Sequence, residues 1–259
     1  MDAAIIDLDG TVYRSETVIP GAPEGIKYLR DAGLNVAFVT NSSTKSRREC
    51  QDRLASLGID AAVSEILTSA SVTASYVTTA YPHAAVMALG EPALDDELTD
   101  AGATLTTNPT AAEVLVVGKD TTFDFETLTR GLQALDSGAA FVGTNGDRTV
   151  PTDSGLKPGA GALIAALEYA ANQDPEVICG KPNAPMIDVS LETLQTDAAN
   201  CMVVGDNPET DIAMGRRAGL TTVLVLTGVA NRSDSLLNEL PPEYVIESLG
   251  EISTVLDGS

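Results

Sequence analysis

Ala3-Ala4-Ile5-Ile6-Asp7-Leu8-Asp9-Gly10-Thr11 is the stretch on which the fold turns. Four apolar residues in a row, with no polar alternation, read as a short strand buried on both faces, the habit of a parallel sheet. Asp7 and Asp9 follow at i and i+2, a spacing that points both carboxylates the same way on an extended backbone. Gly10-Thr11 then permits a sharp turn. A solvated turn, or a helix cap at Asp9, is the alternative use of the same residues.

Working outward, apolar bursts alternate with helical patterns. A helix is expected over about residues 23–32, with Pro23 near its start and Gly33 as its stop. A second strand at 36–39 ends in Thr40-Asn41-Ser42-Ser43-Thr44, and a helix over about 45–57 takes Ser43 or Thr44 as N-cap. The runs 177–179, 202–204 and 222–226 have the same character, each followed by glycine and then by loop or helix signals. Strands alternating with helices through short connections imply an open parallel sheet covered on both faces. Ligands of such sheets bind beyond the carboxyl ends of the strands.

Residues 80–175 carry apolar runs of their own. Strands are expected at 85–89, 114–117 and 140–143, and helices at 94–101, 125–135 and 162–171. An inserted domain over 80–175 follows, with the main sheet divided between 1–79 and 176–259. The Gly/Pro-rich stretch 152–161 leads into the last of these helices. Its Pro158-Gly159-Ala160-Gly161 resembles a dinucleotide loop, but no strand is expected directly before it, so the glycines read as easing the return to the main sheet.

The net charge of −22, from 37 acidic and 15 basic residues, repels nucleic-acid phosphates and anionic lipid. Neither a nucleic-acid polymer nor a membrane is an expected partner. The excess is spread over the chain, −3 in the first 80 residues, −10 in the middle block and −9 after it. With five Lys against ten Arg and no Trp, this composition suits a protein adapted to high salt, where a ~3 Å Debye length at 1 M removes self-repulsion. No apolar run approaches a membrane span and the first residues lack a basic leader, so a cytoplasmic enzyme is expected. The three cysteines, with no CxxC, read as buried reduced thiols. His83 is the single histidine, which excludes a His-rich zinc site.

The chemistry therefore falls to carboxylates, Lys and hydroxyls. Asp206 follows the run 202–204 through Gly205, and Asp211 lies near the start of the next helix, where the helix dipole alone would also favour it. Four carboxylates converging on one sheet edge would need a cation, and all-oxygen ligands suit Mg²⁺. Thr40 and Asn41 offer a hydroxyl and an amide, or simply a capped helix start. Lys181, between Gly180 and Pro182, is a cation at another expected strand end. A phosphate dianion near an aspartate meets repulsion of roughly 4 kcal/mol per unit-charge pair at 4 Å and an effective dielectric of 20. Mg²⁺ and Lys181 can offset it, with Thr40 and Asn41 holding phosphoryl oxygens. Asp7 can then attack phosphorus, and Asp9 can protonate the leaving alcohol and deprotonate water.

The order Asp-x-Asp-Gly-Thr, Thr-Asn, Lys-Pro, Gly-Asp-x₄-Asp resembles the motifs of the haloacid dehalogenase (HAD) superfamily. Ile19-Pro20-Gly21-Ala22, Val39-Thr40-Asn41-Ser42-Ser43 and Pro158-Gly159-Ala160-Gly161 add a resemblance to its NagD or 4-nitrophenylphosphatase branch. So do Gly180-Lys181-Pro182 and Gly205-Asp206-Asn207-x-x-Thr210-Asp211-Ile212, and the likeness spans essentially the whole chain. It implies an α/β fold, a Rossmann-like doubly wound core with an inserted C2-type cap. It implies Asp7 as nucleophile and Mg²⁺ ligand, and Asp9 as general acid/base ligating through its main-chain oxygen. Asp206 would be the third protein ligand, and Asp211 would support the metal's water shell. Thr40, Asn41 and Lys181 would bind phosphate.

In this branch a cap loop selects substrate, here Thr144-Asn145-Gly146-Asp147-Arg148-Thr149-Val150-Pro151. Asn145, Asp147 and Arg148 are its candidate selectivity residues, or ordinary turn residues. The implied activity is hydrolysis of small phosphate monoesters: nucleotides, phosphoglycolate, sugar phosphates, or 4-nitrophenyl phosphate in vitro. A phosphotransferase or phosphomutase would use the same aspartyl-phosphate. A phospho-receiver domain shares the acidic pocket but has no use for a large cap. Pairing of caps into a homodimer is a further implication.

Overall fold

The computed structural model describes residues 1–152 and 155–257. Residues 153 and 154, inside the glycine- and proline-rich stretch 152–161, lie outside the described residues. The chain forms two compact units. One comprises 1–40, 48–67 and 187–259; the other comprises 41–47 and 68–186.

The first unit is built on six strands in the order Tyr244–Ile246, Thr221–Val225, Cys201–Gly205, Ala3–Asp7, Asn35–Thr40, Ile66–Thr68. The first five of these pair in parallel. Ala3–Asp7 is buried at every position, as its unbroken apolar run requires. Register sets Ile6 beside Phe38 on one side and Val204 on the other, with Val204 beside Val223. These side chains meet Ile26, Leu29 and Leu54 in one apolar cluster. Helix Ala22–Asp31 has proline in its first turn and ends at Ala32, one residue before Gly33 at φ 87°. From its first strand the chain goes to one side of the sheet, and it later returns to fill the other. The reversal falls between Ala3–Asp7 and Cys201–Gly205, a position that opens a crevice at the strands' carboxyl ends.

The second unit has a five-stranded sheet in the order Val177–Ile178, Ala140–Gly143, Val114–Val117, Ala85–Leu89, Thr104–Leu105, also paired in parallel. Leu115, Val117 and Phe141 pack with Ala134, Leu135, Ile164 and Leu167 of helices Phe125–Asp136 and Ala160–Ala171. Helices Ser69–Ala80 and Pro92–Asp100 pack on each other.

Four expectations are corrected here. The run 177–179 does not join the main sheet: Val177 and Ile178 pair with Val142 and Gly143. With helix Ser69–Ala80 against Pro92–Asp100, this carries residues 68–79 and 176–186 into the second unit. The cap loop expected over 144–151 does not end as plain loop, because Thr149–Thr152 pairs antiparallel with Gly155–Pro158. The glycines after it ease no return between units, since Ala160–Ala171 stays in the second one. They allow close packing instead: a Cβ at Gly159 would lie 2.1 Å from the Asp147 carbonyl oxygen, and the Gly161 N–H donates to that oxygen at 3.0 Å. Finally, the helix expected from 45 begins at Arg47. Ser43 caps nothing there; its Oγ accepts from the Lys119 N–H at 3.1 Å.

Candidate active site

In the first unit, three expected residues converge. Asp7 ends the strand Ala3–Asp7, and Asp206 is the first residue past Cys201–Gly205. Asp211 sits in a π-helical turn, Pro208–Ile212, that precedes helix Ala213–Ala218. One carboxylate oxygen from each lies within 4.8 Å of the other two. All three are buried, with relative exposures of 6, 3 and 1%.

The surrounding backbone sets these carboxylates. The Val229 N–H donates to Asp206 Oδ2 at 2.6 Å, the Asn207 N–H to Asp211 Oδ2 at 3.1 Å, and the Thr11 hydroxyl to Asp7 Oδ2 at 3.2 Å. The π-helical turn widens the chain enough for Ile212 as well as Asp211 to donate to the Asn207 carbonyl. Glycine is required on two sides of Asp206. Gly10 adopts φ 90°, and a Cβ there would lie 2.5 Å from Asp206 Oδ2; at Gly228 the distance would be 1.7 Å. Thr227 ties the same loops, its hydroxyl donating to the Gly10 carbonyl at 2.6 Å. Thr11, Thr227, Gly228 and Val229 were not among the expected site residues. Glycine after the strand Thr221–Val225 was the available signal.

Asp9 is not part of this trio. The strand stops at Asp7, and Asp9 is exposed in the following turn, bridged to Tyr13. The Gly10 N–H donates to the Tyr13 carbonyl at 2.8 Å, and the Arg53 guanidinium lies 5.4 Å from the centre of the Tyr13 ring. Burial, and then the charge of Asp9, hold the Tyr13 phenol far above its usual range, so Tyr13 stays protonated. Thr40, also expected, is buried at the end of its strand.

Three mutually close carboxylates in a buried place repel one another by roughly 4 kcal/mol per pair at 4 Å and an effective dielectric of 20. A hard divalent cation suits the set. Octahedral Mg²⁺ holds oxygens at about 2.1 Å, which spans about 4.2 Å between opposite ligands. The oxygens of Asp7, Asp206 and Asp211 are therefore close enough for one such ion to sit among them.

The second unit gathers other expected residues. The Asn41 side chain takes both ends of the Lys181 backbone: its Oδ1 accepts from the Lys181 N–H at 2.8 Å, and its Nδ2 donates to the Lys181 carbonyl at 3.1 Å. Nδ2 also donates to Asp147 Oδ1 at 3.1 Å. Asn145 does not sit in an open loop: it is buried, and its Nδ2 donates to the Asn41 carbonyl at 2.8 Å. Gly180 joins the group through its N–H, which donates to the Thr144 carbonyl at 2.7 Å. Lys181 is buried and Arg148 exposed. Ser69, not among the expected residues, donates its hydroxyl to the same Asn41 carbonyl at 2.8 Å.

A doubly wound sheet with a buried carboxylate trio at its reversal point is an α/β fold with a site that fits a hard cation. Comparison with known proteins makes the class specific. Residues 4–104 match the family model of haloacid dehalogenase-like hydrolases, and residues 178–252 match a HAD-hydrolase-like model. Sugar-phosphatase AraL of Bacillus subtilis is 36% identical over 98% of this chain and 92% of its own length. The p-nitrophenyl phosphatase of Archaeoglobus fulgidus superposes with a TM-score of 0.94 at 38% identity, covering 98% of both chains. NagD of E. coli K-12 gives 0.87 at 30%, covering 97% of this chain and 98% of its own. The chain belongs to the haloacid dehalogenase-like hydrolases, in the branch of NagD and the nitrophenylphosphatases, and is a phosphatase. Among the described residues no helix is long and apolar enough to cross a membrane.

Proposed function

We propose that this phosphatase hydrolyses small phosphate monoesters, sugar phosphates foremost, with Mg²⁺ and through an aspartyl-phosphate on Asp7. The buried trio Asp7, Asp206 and Asp211 carries the reading. The sugar phosphatase and p-nitrophenyl phosphatase relatives support the substrate class. Asp7, Asp206 and the main-chain oxygen of Asp9 would hold the metal, with Asp211 beside them. Bound there, Mg²⁺ would neutralise the carboxylates and the incoming phosphate.

The chain's own groups do the rest. A carboxylate oxygen of Asp7 attacks phosphorus as the ester P–O bond breaks. Asp9 gives its proton to the departing alkoxide, and the alcohol leaves. Asp9, now ionised, takes a proton from water. The resulting hydroxide attacks phosphorus, the bond to Asp7 breaks, inorganic phosphate departs and the Asp7 carboxylate is restored. Asp9 stands in the exposed turn after Asp7, a placement that suits proton exchange with water. The motif order of the sequence is the reason for assigning Thr40, Asn41 and Lys181 to the phosphate, and the likeness of 144–151 to the family's cap loop is the reason for assigning Asp147 and Arg148 to the choice of alcohol.

The test is phosphate release from 4-nitrophenyl phosphate and a panel of sugar phosphates, nucleotides and phosphoglycolate, with and without Mg²⁺. Turnover that requires Mg²⁺ and favours sugar phosphates is expected. Undiminished turnover in excess chelator would overturn the metal assignment, and preference for another ester class would overturn the substrate assignment.

A further inference from the structure

We propose that Asn145, together with Ser69, is a positioning residue that sets the phosphate-binding segments around Asn41 and Lys181 and takes no part in choosing the substrate. This rests on the reading that those segments hold the phosphoryl group.

The Asn41 carbonyl accepts from two buried side chains, Ser69 Oγ at 2.8 Å and Asn145 Nδ2 at 2.8 Å. A carbonyl oxygen has two lone pairs, and these two donors match that capacity. Because the peptide is planar, fixing the Asn41 C=O also fixes the direction of the Ser42 N–H. The Asn41 amide then passes the constraint on through its two bonds to the Lys181 peptide. A ring closes the arrangement. Asn41 Nδ2 donates to Asp147 Oδ1 at 3.1 Å, the Asp147 N–H donates to Asn145 Oδ1 at 3.2 Å, and Asn145 returns to Asn41. Residues 28, 104 and 140 positions from Asn41 thus hold one another.

Asn145 has little to offer a substrate. It is 3% exposed, and its Nδ2 also lies 3.4 Å from Ser69 Oγ and 3.3 Å from Thr144 Oγ1. Both amide hydrogens therefore have protein acceptors, and its oxygen holds the Asp147 N–H. A selecting residue must present a surface that different alcohols meet differently. A residue acting through Asn41 must instead affect what all esters share, the phosphoryl group.

The experiment compares wild type with Asn145→Ala and Ser69→Ala across the ester panel, together with inhibition by inorganic phosphate. Removing one donor from a buried carbonyl is expected to lower kcat/KM roughly tenfold. The factor should be the same for every ester, with the order of preference kept and the inhibition constant for phosphate raised in step. Asn145→Asp keeps the shape but loses the donor, so it should fail to rescue. The two alanine variants should be non-additive in combination, because both donors serve one oxygen. If Asn145→Ala does not fold, Ser69→Ala reads the same carbonyl. A folded Asn145→Ala that reorders the esters, or leaves every KM and the phosphate inhibition unchanged, overturns the proposal. A wild type inactive on every ester with Mg²⁺ would instead remove the reading beneath it.

Discussion

At the carboxyl ends of the six-stranded sheet, three buried carboxylates face one another, whereas the polar group of the second unit joins amides, a hydroxyl and the single Asp147 carboxylate in hydrogen bonds that satisfy one another. The first arrangement holds like charges close, a repulsion that a cation would relieve. The second is complete as it stands. The difference separates two tasks: like charges held close suit a cation, while amides closed into a ring with one carboxylate are suited to holding backbone in place. The two should respond differently to perturbation.

The largest effect is expected at Asp7. Asp7→Asn keeps the shape and removes the nucleophilic charge, and turnover should fall by roughly 10³-fold or more. Steady-state phosphate release checks this, and retained activity would remove Asp7 from its role. Asp9→Asn should lose on the order of 10² to 10⁴-fold, less with 4-nitrophenyl phosphate than with sugar esters, because nitrophenolate departs without a proton.

Next comes Gly228→Ala. The added methyl would sit 1.7 Å from Asp206 Oδ2, so the carboxylate must turn away. The Mg²⁺ concentration for half-maximal rate should rise about 10- to 100-fold, with activity recovering at saturating metal. A metal titration identical to wild type would break the link between this loop and the cation. No change in the ring should move the metal titration in this way.

The strand-end carboxylates were legible because one local pattern, an apolar run followed by Asp and Gly, announces both a buried parallel strand and what stands at its end. Asp7 and Asp206 have that signature, while Thr40 and Lys181 share only its apolar run. It does not say which sheet a strand joins: the run at 177–179 looks like the others, and only its pairing with Val142 and Gly143 assigns it. The hairpin Thr149–Thr152 with Gly155–Pro158 was hidden by its own prolines, which are tolerated because a two-stranded ribbon consists only of edges. Asn145 looked like a loop residue facing a substrate. Its partners lie far off in sequence, and contacts of that kind leave no periodic trace. Ser69 went unnoticed for the same reason.

A smaller effect is expected from salt. The net charge of −22 is spread over both parts of the chain, so its repulsion belongs to neither site. We propose adaptation to high salt, and thermal unfolding should shift upward by several degrees between dilute buffer and 1 M KCl. A melting temperature indifferent to KCl would contradict it.

The smallest signal comes from the thiols, which report on the units separately. Cys201 lies in the first unit and Cys179 in the second, and burial pushes both up to about 12 from an ordinary 9. The folded state thus holds their protons more tightly than the unfolded state. The linked destabilisation begins only above about pH 9 and grows as pH rises toward 12. At pH 8 iodoacetamide should label neither thiol in the native protein. Labelling followed by mass spectrometry along a urea series then shows which unit opens first. Rapid native labelling of Cys179 or Cys201 would contradict their burial.

The account depends most on a phosphoryl group passing through Asp7. Asp9→Asn, mixed with 4-nitrophenyl phosphate and Mg²⁺ and quenched in acid, tests this directly. Nitrophenolate should appear in a burst of about one equivalent, and peptide mass spectrometry should find one phosphoryl group on the segment containing Asp7. Phosphate release at the same rate as nitrophenolate with no phosphorylated peptide, or a phosphoryl group on any other residue, would contradict it.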